Sequence, residues 1–189
     1  SISIKFNPVN SYLYCLSPTK LFIVDPLLNV LVSTISLSYT ATDCVINIDN
    51  GDIYVSYSNI SKVDVWNFIN YSSTPTTSVL TSGSTIRLVY NQNEGSMYVS
   101  QSDGILSRIN GSTYVINTYS VPGLTSSLLY EPINSSIWTF DSSNLINLNK
   151  SFVVLNEHFL YNILTLFFVV LSNLDDAFIM SIIFLFILK

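Results

Sequence analysis

The sequence predicts an all-β chain of about four repeated units, each of four strands, followed by an apolar C-terminal tail. Short apolar runs rich in Val, Ile, Tyr and Phe alternate with turns rich in Asn, Ser, Pro and Gly. The first group of residues favours strands and the second favours turns. The alternation recurs about every 40 residues, which is the length of a four-stranded repeat unit.

Each predicted repeat begins with two strands joined by a tight turn. The four segments are residues 4–14, 45–56, 88–100 and 128–139. In each segment an apolar strand is followed by a turn containing Asn, Pro or Gly, and then by a strand with an aromatic residue after an aliphatic one. The aromatic anchors, about 40 residues apart, are Tyr14, Tyr54, Tyr98 and Trp138.

Two further strands complete each unit and leave no room for a helical layer before about residue 158. They are predicted at residues 21–25 and 30–35, 62–66 and 76–80, 105–109 and 113–117, and 145–148 and 152–155. One four-stranded sheet cannot bury both of its faces, whereas sheets arranged around an axis bury them against each other, as in a β-propeller. The predicted propeller domain covers residues 1–157, with approximate blades at 1–38, 39–82, 83–122 and 123–157.

Two of the repeats resemble a known family. Residues 54–59 (YVSYSN) and 98–103 (YVSQSD) resemble the signature strand of YVTN-type β-propellers. Residues 21–35 and 45–51 are similar to other strands of that family, whereas Cys15 and Trp138 depart from its signature. The resemblance implies an incomplete ring of a propeller that usually has about seven blades, in a secreted or cell-surface protein of archaea or bacteria. A closed four-bladed ring is the alternative.

The repeat pattern stops near residue 157, and residues 158–189 are predicted to be a hydrophobic tail. Its two apolar runs, 159–171 and 178–188, are separated by a polar stretch that contains Asp175 and Asp176. Each run is shorter than the roughly 18–20 residues that cross a bilayer as a helix, and two carboxylates inside a membrane are costly. Three interpretations stay open: association with a membrane, burial of strands against a partner, and out-of-frame translation.

Charge and cysteine content exclude several classes of protein. The net charge is −5 and no run of basic residues is present, so nucleic acid is not a predicted partner. The two cysteines, Cys15 and Cys44, are too few for a disulfide framework. We interpret Cys15 and Cys44 as two buried free thiols in preference to a single disulfide bridge.

Residues that could carry catalysis are scarce. His158 is the only histidine, and Arg87 and Arg108 are the only arginines. One histidine excludes a metal site with two His ligands in this chain. Residues 49–52 (DNGD) lack the later ligands of a calcium loop and are interpreted as a turn. We therefore predict no catalytic residue, no metal site and no cofactor.

Binding is the remaining class of function for which the sequence offers candidate residues. The aromatic residues that could face a ligand are Trp66, Tyr57, Tyr71 and Tyr90, although packing between blades is the ordinary use of such side chains. Sequons that would permit glycosylation of a secreted protein begin at Asn59, Asn70, Asn110, Asn134 and Asn149.

The predicted function is a non-catalytic binding or scaffolding module of an extracellular or cell-surface protein, with a protein or glycan ligand. Charged residues make up only 10% of the chain, which suits an extracellular surface, although AT-rich coding produces a similar composition. One alternative is a lactonase-like or quinoprotein-like enzyme whose active-site blades are missing from this chain. The other is a purely structural spacer.

Overall fold

The structure, a computed structural model, describes residues 3–69, 71–121, 127–140, 145–147 and 154–155. Within these residues the chain forms sixteen strands in four antiparallel sheets, each of four strands. The predicted hydrophobic tail, residues 158–189, and His158 lie outside the described residues.

The sheets, numbered as blades 1 to 4, follow one another along the chain. Blade 1 consists of β1 (Ser3–Asn7), β2 (Tyr12–Leu16), β3 (Lys20–Asp25) and β4 (Val30–Ser36). Blade 2 consists of β5 (Ala41–Ile46), β6 (Ile53–Tyr57), β7 (Lys62–Trp66) and β8 (Thr77–Leu80). Blade 3 consists of β9 (Thr85–Asn91), β10 (Ser96–Gln101), β11 (Ile105–Asn110) and β12 (Ile116–Ser120), with a 3-10 turn at Gln92–Glu94. Blade 4 consists of β13 (Leu129–Glu131), β14 (Ser136–Phe140), β15 (Leu145–Asn147) and β16 (Val154–Leu155).

Every blade is an up-and-down sheet in which each strand pairs with the next one in sequence. The first strands of neighbouring blades lie against one another, β1 against β5, β5 against β9 and β9 against β13. These four strands therefore form the inner edge of the assembly, around its axis, and the fourth strands lie at the outside.

One predicted strand is wrong in position. The sequence predicts a strand at residues 113–117, but β12 covers Ile116–Ser120. The side chain of Asn110 accepts the backbone N–H of Thr113 at 2.9 Å, and Tyr114 has a left-handed φ of 59°. The turn that begins at Asn110 shifts the start of the strand toward the C-terminus. A side chain that accepts hydrogen bonds from the backbone of the residues after it competes with strand pairing. β12 therefore begins about three residues later than predicted, and the other predicted strands overlap observed ones without such a displacement.

The apolar residues fill the spaces between blades. β6 and β10 are buried along their whole length because alternate side chains pack against two different neighbours. In β6, Val55 packs in the core between blades 1 and 2, whereas Tyr54 packs between blades 2 and 3. In β10, Met97 packs between blades 2 and 3, whereas Tyr98 packs between blades 3 and 4. The aromatic–aliphatic pattern of these strands is thus a consequence of burial on both faces.

Blade 1 has one face that no described blade covers. Ile4 on this face pairs across the sheet with Cys15, which in turn pairs with Phe22. Ile4 and Phe6 are 61% and 54% exposed, whereas Ile23 on the opposite face is 0% exposed. We call the side that carries Ile4, Phe6, Cys15 and Phe22 the open face of blade 1.

A buried asparagine ends the inner strand of each of the first three blades. Its side-chain oxygen caps the following turn, and the N–H groups that it accepts belong to Val9 for Asn7, Asp49 for Asn47 and Glu94 for Asn91. Its side-chain nitrogen donates to a backbone carbonyl of the next blade, and the acceptors are Gly51 at 2.9 Å, Gly111 at 3.4 Å and Ser135 at 3.3 Å. Each of these asparagines therefore joins two blades at the inner edge while it holds its own turn.

Glu131 ends the inner strand of blade 4 in the same way, but it is a carboxylate. Its oxygens accept the backbone N–H groups of Ile133 at 2.6 Å and Asn134 at 3.0 Å. The bond from Asn134, followed by that from Ile133, lowers the pKa of Glu131. An ionised carboxylate has no proton to donate, so Glu131 caps its turn and offers no donor of the kind that Asn7, Asn47 and Asn91 direct at the next blade.

Candidate functional site

A cavity of about 450 Å³ opens between the inner strands, near the axis. Its volume lies within the roughly 300–1,000 Å³ that small-ligand pockets occupy. All four blades contribute to its lining, which consists of Ser3, Lys5, Thr42, Asp43, Val45, Arg87, Leu88, Val89, Tyr90 and Leu128. We call this the axial cavity.

Strand geometry explains which side chains reach the axial cavity. Ser3 and Lys5 lie two positions apart on β1 and so share a side of the strand. In β5, the pairing with β6 shifts register between Ala41 and Asp43. Such an irregularity interrupts strict alternation, and it allows the adjacent residues Thr42 and Asp43 both to line the cavity.

Asp43 is the only carboxylate in the lining, and backbone groups engage both of its oxygens. Oδ1 accepts the N–H of Cys44 at 2.9 Å, and Oδ2 accepts the N–H of Leu88 at 3.1 Å. The second bond joins blade 2 to blade 3. Asp43 is thus a structural link in the cavity wall, and its oxygens are already used as acceptors.

Lys5 and Arg87 bring two positive charges to the axial cavity. Lys5 is half-buried and Arg87 is exposed. Among the residues that the structure describes, the ion pairs are Lys62 with Asp64 at 2.8 Å and Arg108 with Glu94 at 3.4 Å. Neither cation of the cavity is therefore paired with a described carboxylate, although Asp43 lines the same space.

A second polar cluster connects the inner turns of blade 2 with blade 3. The Tyr114 hydroxyl donates to Asp52 Oδ2 at 2.9 Å, and the Tyr90 hydroxyl donates to Asp49. Burial, followed by the bond to Asp52, raises the pKa of Tyr114 to about 12. Burial also raises the pKa of the Asp52 carboxyl, whose Oδ1 is buried and accepts no hydrogen bond from a described residue. Residues 49–52, interpreted from sequence as a turn, therefore also link two blades.

Of the four aromatic residues predicted as ligand-facing, three belong to one core between blades and the fourth lies elsewhere. Tyr57 and Trp66 are buried in the core between blades 1 and 2, against which Tyr71 packs. Tyr90 belongs to the core between blades 2 and 3 and also lines the axial cavity. The structure does not bring the four together. Lys5 and Asp43, neither of which is a candidate residue from sequence alone, line the cavity with Tyr90.

Three of the five sequons fall on described residues. Asn59 and Asn134 are exposed in turns. Asn110 is half-buried at the end of β11, where its side chain caps the following turn. Asn70 and Asn149 lie outside the described residues.

The two cysteines are free and lie on opposite sides of blade 1. Cys15 is on the open face, whereas Cys44 is buried in the core between blades 1 and 2. Burial raises the pKa of the Cys44 thiol to about 12. A bridge between them would have to pass through the sheet.

Neither a metal cluster nor a membrane-spanning helix is present in the part of the chain that the structure describes. No three His, Cys, Asp or Glu side chains are grouped there so that they could hold a metal ion. No helix there has the length and apolar character needed to cross a membrane.

Comparison with solved structures identifies the architecture. A chain in the crystal structure of a mitotic checkpoint complex superposes with a TM-score of 0.66 and 11% sequence identity, over 82% of this chain and 50% of that chain. The chain has a β-propeller fold. It spans about half the length of the propeller chain that it matches. The predicted fold class is therefore confirmed.

Comparison of the sequence with known families and proteins does not identify a family for this chain. No protein-family model matches the chain, and no curated protein matches it. At 11% identity the structural likeness concerns the fold, and function has to be argued from the site itself.

Proposed function

We propose that this chain is a non-catalytic β-propeller module that binds a protein ligand at the axial cavity, in a secreted or cell-surface protein. The observation that carries the proposal is the cavity itself, a concave space lined by apolar, hydroxyl and charged side chains from four blades. Concave pockets of this size are typical of binding sites, and this lining offers both polar and apolar contacts to a ligand.

The lining supports binding over catalysis. General acid–base or nucleophilic chemistry needs a proton-transfer group beside a second reactive group. Asp43 is the only carboxylate among the lining residues, and both of its oxygens accept backbone N–H groups. Asp43 is thus engaged in holding the cavity wall, and the two cations and several hydroxyls that remain are groups that can hold a ligand.

A protein ligand is favoured over a glycan. The matched propeller chain belongs to a protein complex, and four of the ten lining residues are Val or Leu. Apolar contact area of this kind suits peptide side chains. The YVTN-type resemblance supports the extracellular or cell-surface location, and the sequons Asn59 and Asn134 lie exposed where glycans would fit.

The test blocks the axial cavity without changing its charge. Val45 lines the cavity and is half-buried, so Val45→Trp fills the space. Ser3→Trp fills it from blade 1, in case the first variant does not fold. Val115→Trp, at a 58% exposed position away from the cavity, is the matched control.

The full chain and its variants are panned against a random-peptide library and probed on a glycan array. We expect peptides that bind the wild type and Val115→Trp but not a folded cavity variant. If the wild type binds glycans and no peptides, the ligand is a glycan and not a protein. If the wild type binds neither peptides nor glycans, the alternative of a purely structural spacer is favoured. If it turns over lactone or alcohol substrates, the alternative of an enzyme is favoured.

A further inference from the structure

We infer that the axial cavity binds the carboxylate side chain of an acidic peptide segment through Lys5 and Arg87. This inference rests on the proposed function and names the chemistry of its ligand. It follows from the charges in the cavity, from the pairing of Lys62 and Arg108 with carboxylates elsewhere, and from the mixed character of the lining.

The distribution of positive charge is uneven in the described part of the chain. The Lys and Arg side chains there are Lys5, Lys20, Lys62, Arg87 and Arg108. Lys62 and Arg108 are each held by a carboxylate. Of the three that no described carboxylate pairs with, Lys5 and Arg87 both line the axial cavity. They come from blades 1 and 3, so the fold places two cations from distant segments in the wall of one cavity.

The net charge of the cavity is opposite to that of the protein. Lys5 and Arg87 contribute two positive charges and Asp43 one negative charge, so the lining carries one net positive charge, in a chain whose net charge is −5. A concave, partly apolar surface focuses the field of such charges. An anionic group is therefore drawn to this cavity.

The size of that net charge favours a carboxylate. A carboxylate carries one negative charge and neutralises the lining, whereas a phosphate carries up to about two. The guanidinium of Arg87 can bind a carboxylate with two parallel hydrogen bonds. Lys5 supplies a second, point-like donor in the same lining. The hydroxyl groups of Ser3 and Thr42 add neutral hydrogen-bonding groups to the lining.

The apolar part of the lining indicates what surrounds the carboxylate. Val45, Leu88, Val89 and Leu128 contribute aliphatic surface, which a free carboxylate anion would leave uncovered. An Asp or Glu side chain flanked by apolar residues in a peptide can use both parts of the cavity. The segment therefore has an acidic residue with apolar neighbours.

The experiment compares two pentapeptide libraries that differ in one charge. Both are N-acetylated and C-amidated, with randomised uncharged residues around a central Glu in one and a central Gln in the other. The libraries are passed over the immobilised full chain, and retained peptides are quantified by mass spectrometry. The dissociation constant of the best Glu peptide is then measured by calorimetry for wild type, Arg87→Gln, Lys5→Gln and the control Lys20→Gln.

We expect the Glu library to be retained over the Gln library. Arg87→Gln and Lys5→Gln should each weaken binding by about tenfold or more, because a hydrogen bond to a charged group is lost. Lys20→Gln should leave the affinity within about twofold. Succinate, the free-carboxylate probe, should compete only weakly.

Equal retention of the two libraries would overturn the inference. So would a loss of affinity in Lys20→Gln as large as the losses in Arg87→Gln and Lys5→Gln. Tight binding of succinate without retention of Glu peptides would assign the site to a free carboxylate and also overturn it. None of these results would contradict the proposed function if uncharged peptides are retained and Val45→Trp abolishes that retention.

Discussion

The side-chain amide of Asn7 donates a hydrogen bond to the backbone carbonyl of Gly51 at 2.9 Å, and this bond joins blade 1 to blade 2. Asn7 is 0% exposed, so neither group can turn to water when the bond is broken. Since Asn47 and Asn91 make the equivalent bond to the blade that follows them, the same residue type stabilises three successive interfaces.

The first prediction concerns the donor of this bond. Asn7→Asp keeps the oxygen that accepts the Val9 N–H but replaces the donor with a buried carboxylate that faces the Gly51 carbonyl. We expect the free energy of unfolding to fall by about 2–4 kcal/mol at pH 7. Urea unfolding of the full chain, followed by tryptophan fluorescence, measures this loss.

The loss of unfolding free energy in Asn7→Asp, relative to the wild type, should become smaller as the pH falls. Burial raises the pKa of a carboxyl group above its value in the unfolded chain, so the variant takes up a proton on folding at mildly acid pH. The protonated acid can donate to Gly51. Asn117→Asp, at an exposed position on β12, is the control. A deficit that grows toward acid pH would contradict this account.

The second prediction concerns the reactivity of the two thiols. The neutral form of Cys44 is favoured by burial, which raises its pKa to about 12, and the thiolate is the reactive form. Cys15 is partly exposed on the open face. Iodoacetamide should therefore add once to the native chain, at Cys15, and twice to the urea-unfolded chain, as read by intact and peptide mass spectrometry. A chain that takes up label only after reduction would instead contain a disulfide.

The repeat architecture could be predicted from sequence because its determinants are local. Turn residues such as Asn110 and aromatic anchors such as Tyr54 and Tyr98 recur at a period that a single chain reveals. The turn asparagines were visible too, since Asn7, Asn47 and Asn91 occupy the same place in the aligned segments. Their second role was not visible, because the carbonyl that each one reaches belongs to another blade.

The site could be predicted less well because it depends on contacts between distant segments. Trp66 and Tyr57 are large aromatic residues that sequence alone cannot assign to a core or to a surface, and neighbouring blades bury them. Lys5 and Arg87 come to line one cavity only when β1 and β9 are both arranged around β5 in the folded chain. Arg87 was noted as a rare arginine, but its partner in the cavity could not be inferred from spacing.

The third prediction concerns the raised pKa of Asp52. If the pKa of a carboxyl group is higher in the folded chain than in the unfolded chain, ionisation of that group destabilises the folded protein. That destabilisation is absent below the unfolded pKa and fully present above the folded pKa. Asn is uncharged at every pH, so Asp52→Asn should gain stability relative to wild type as the pH rises from about 3.5 to 7. Thermal unfolding at several pH values measures the difference.

The control for Asp52 is Asp103→Asn, in which an exposed turn residue loses one surface charge. A similar pH-dependent gain in both variants would show that net charge, and not burial of Asp52, is responsible. Tyr114→Phe adds a second check, because it removes the hydroxyl that donates to Asp52 and should enlarge the gain from Asp52→Asn.

The last prediction compares the two faces of blade 1. Ile23 is 0% exposed against blade 2, whereas Phe6 on the open face is 54% exposed. Ile23→Ala should therefore lower the free energy of unfolding by about 2–5 kcal/mol, because it leaves a cavity between two blades. Phe6→Ala removes a larger side chain but should cost less than about 1 kcal/mol, since that side chain is already half in water. Urea unfolding of both variants in the full chain measures the two losses. If Phe6→Ala costs as much as Ile23→Ala, the open face is covered in solution, and the stability of blade 1 then depends on contacts at both of its faces.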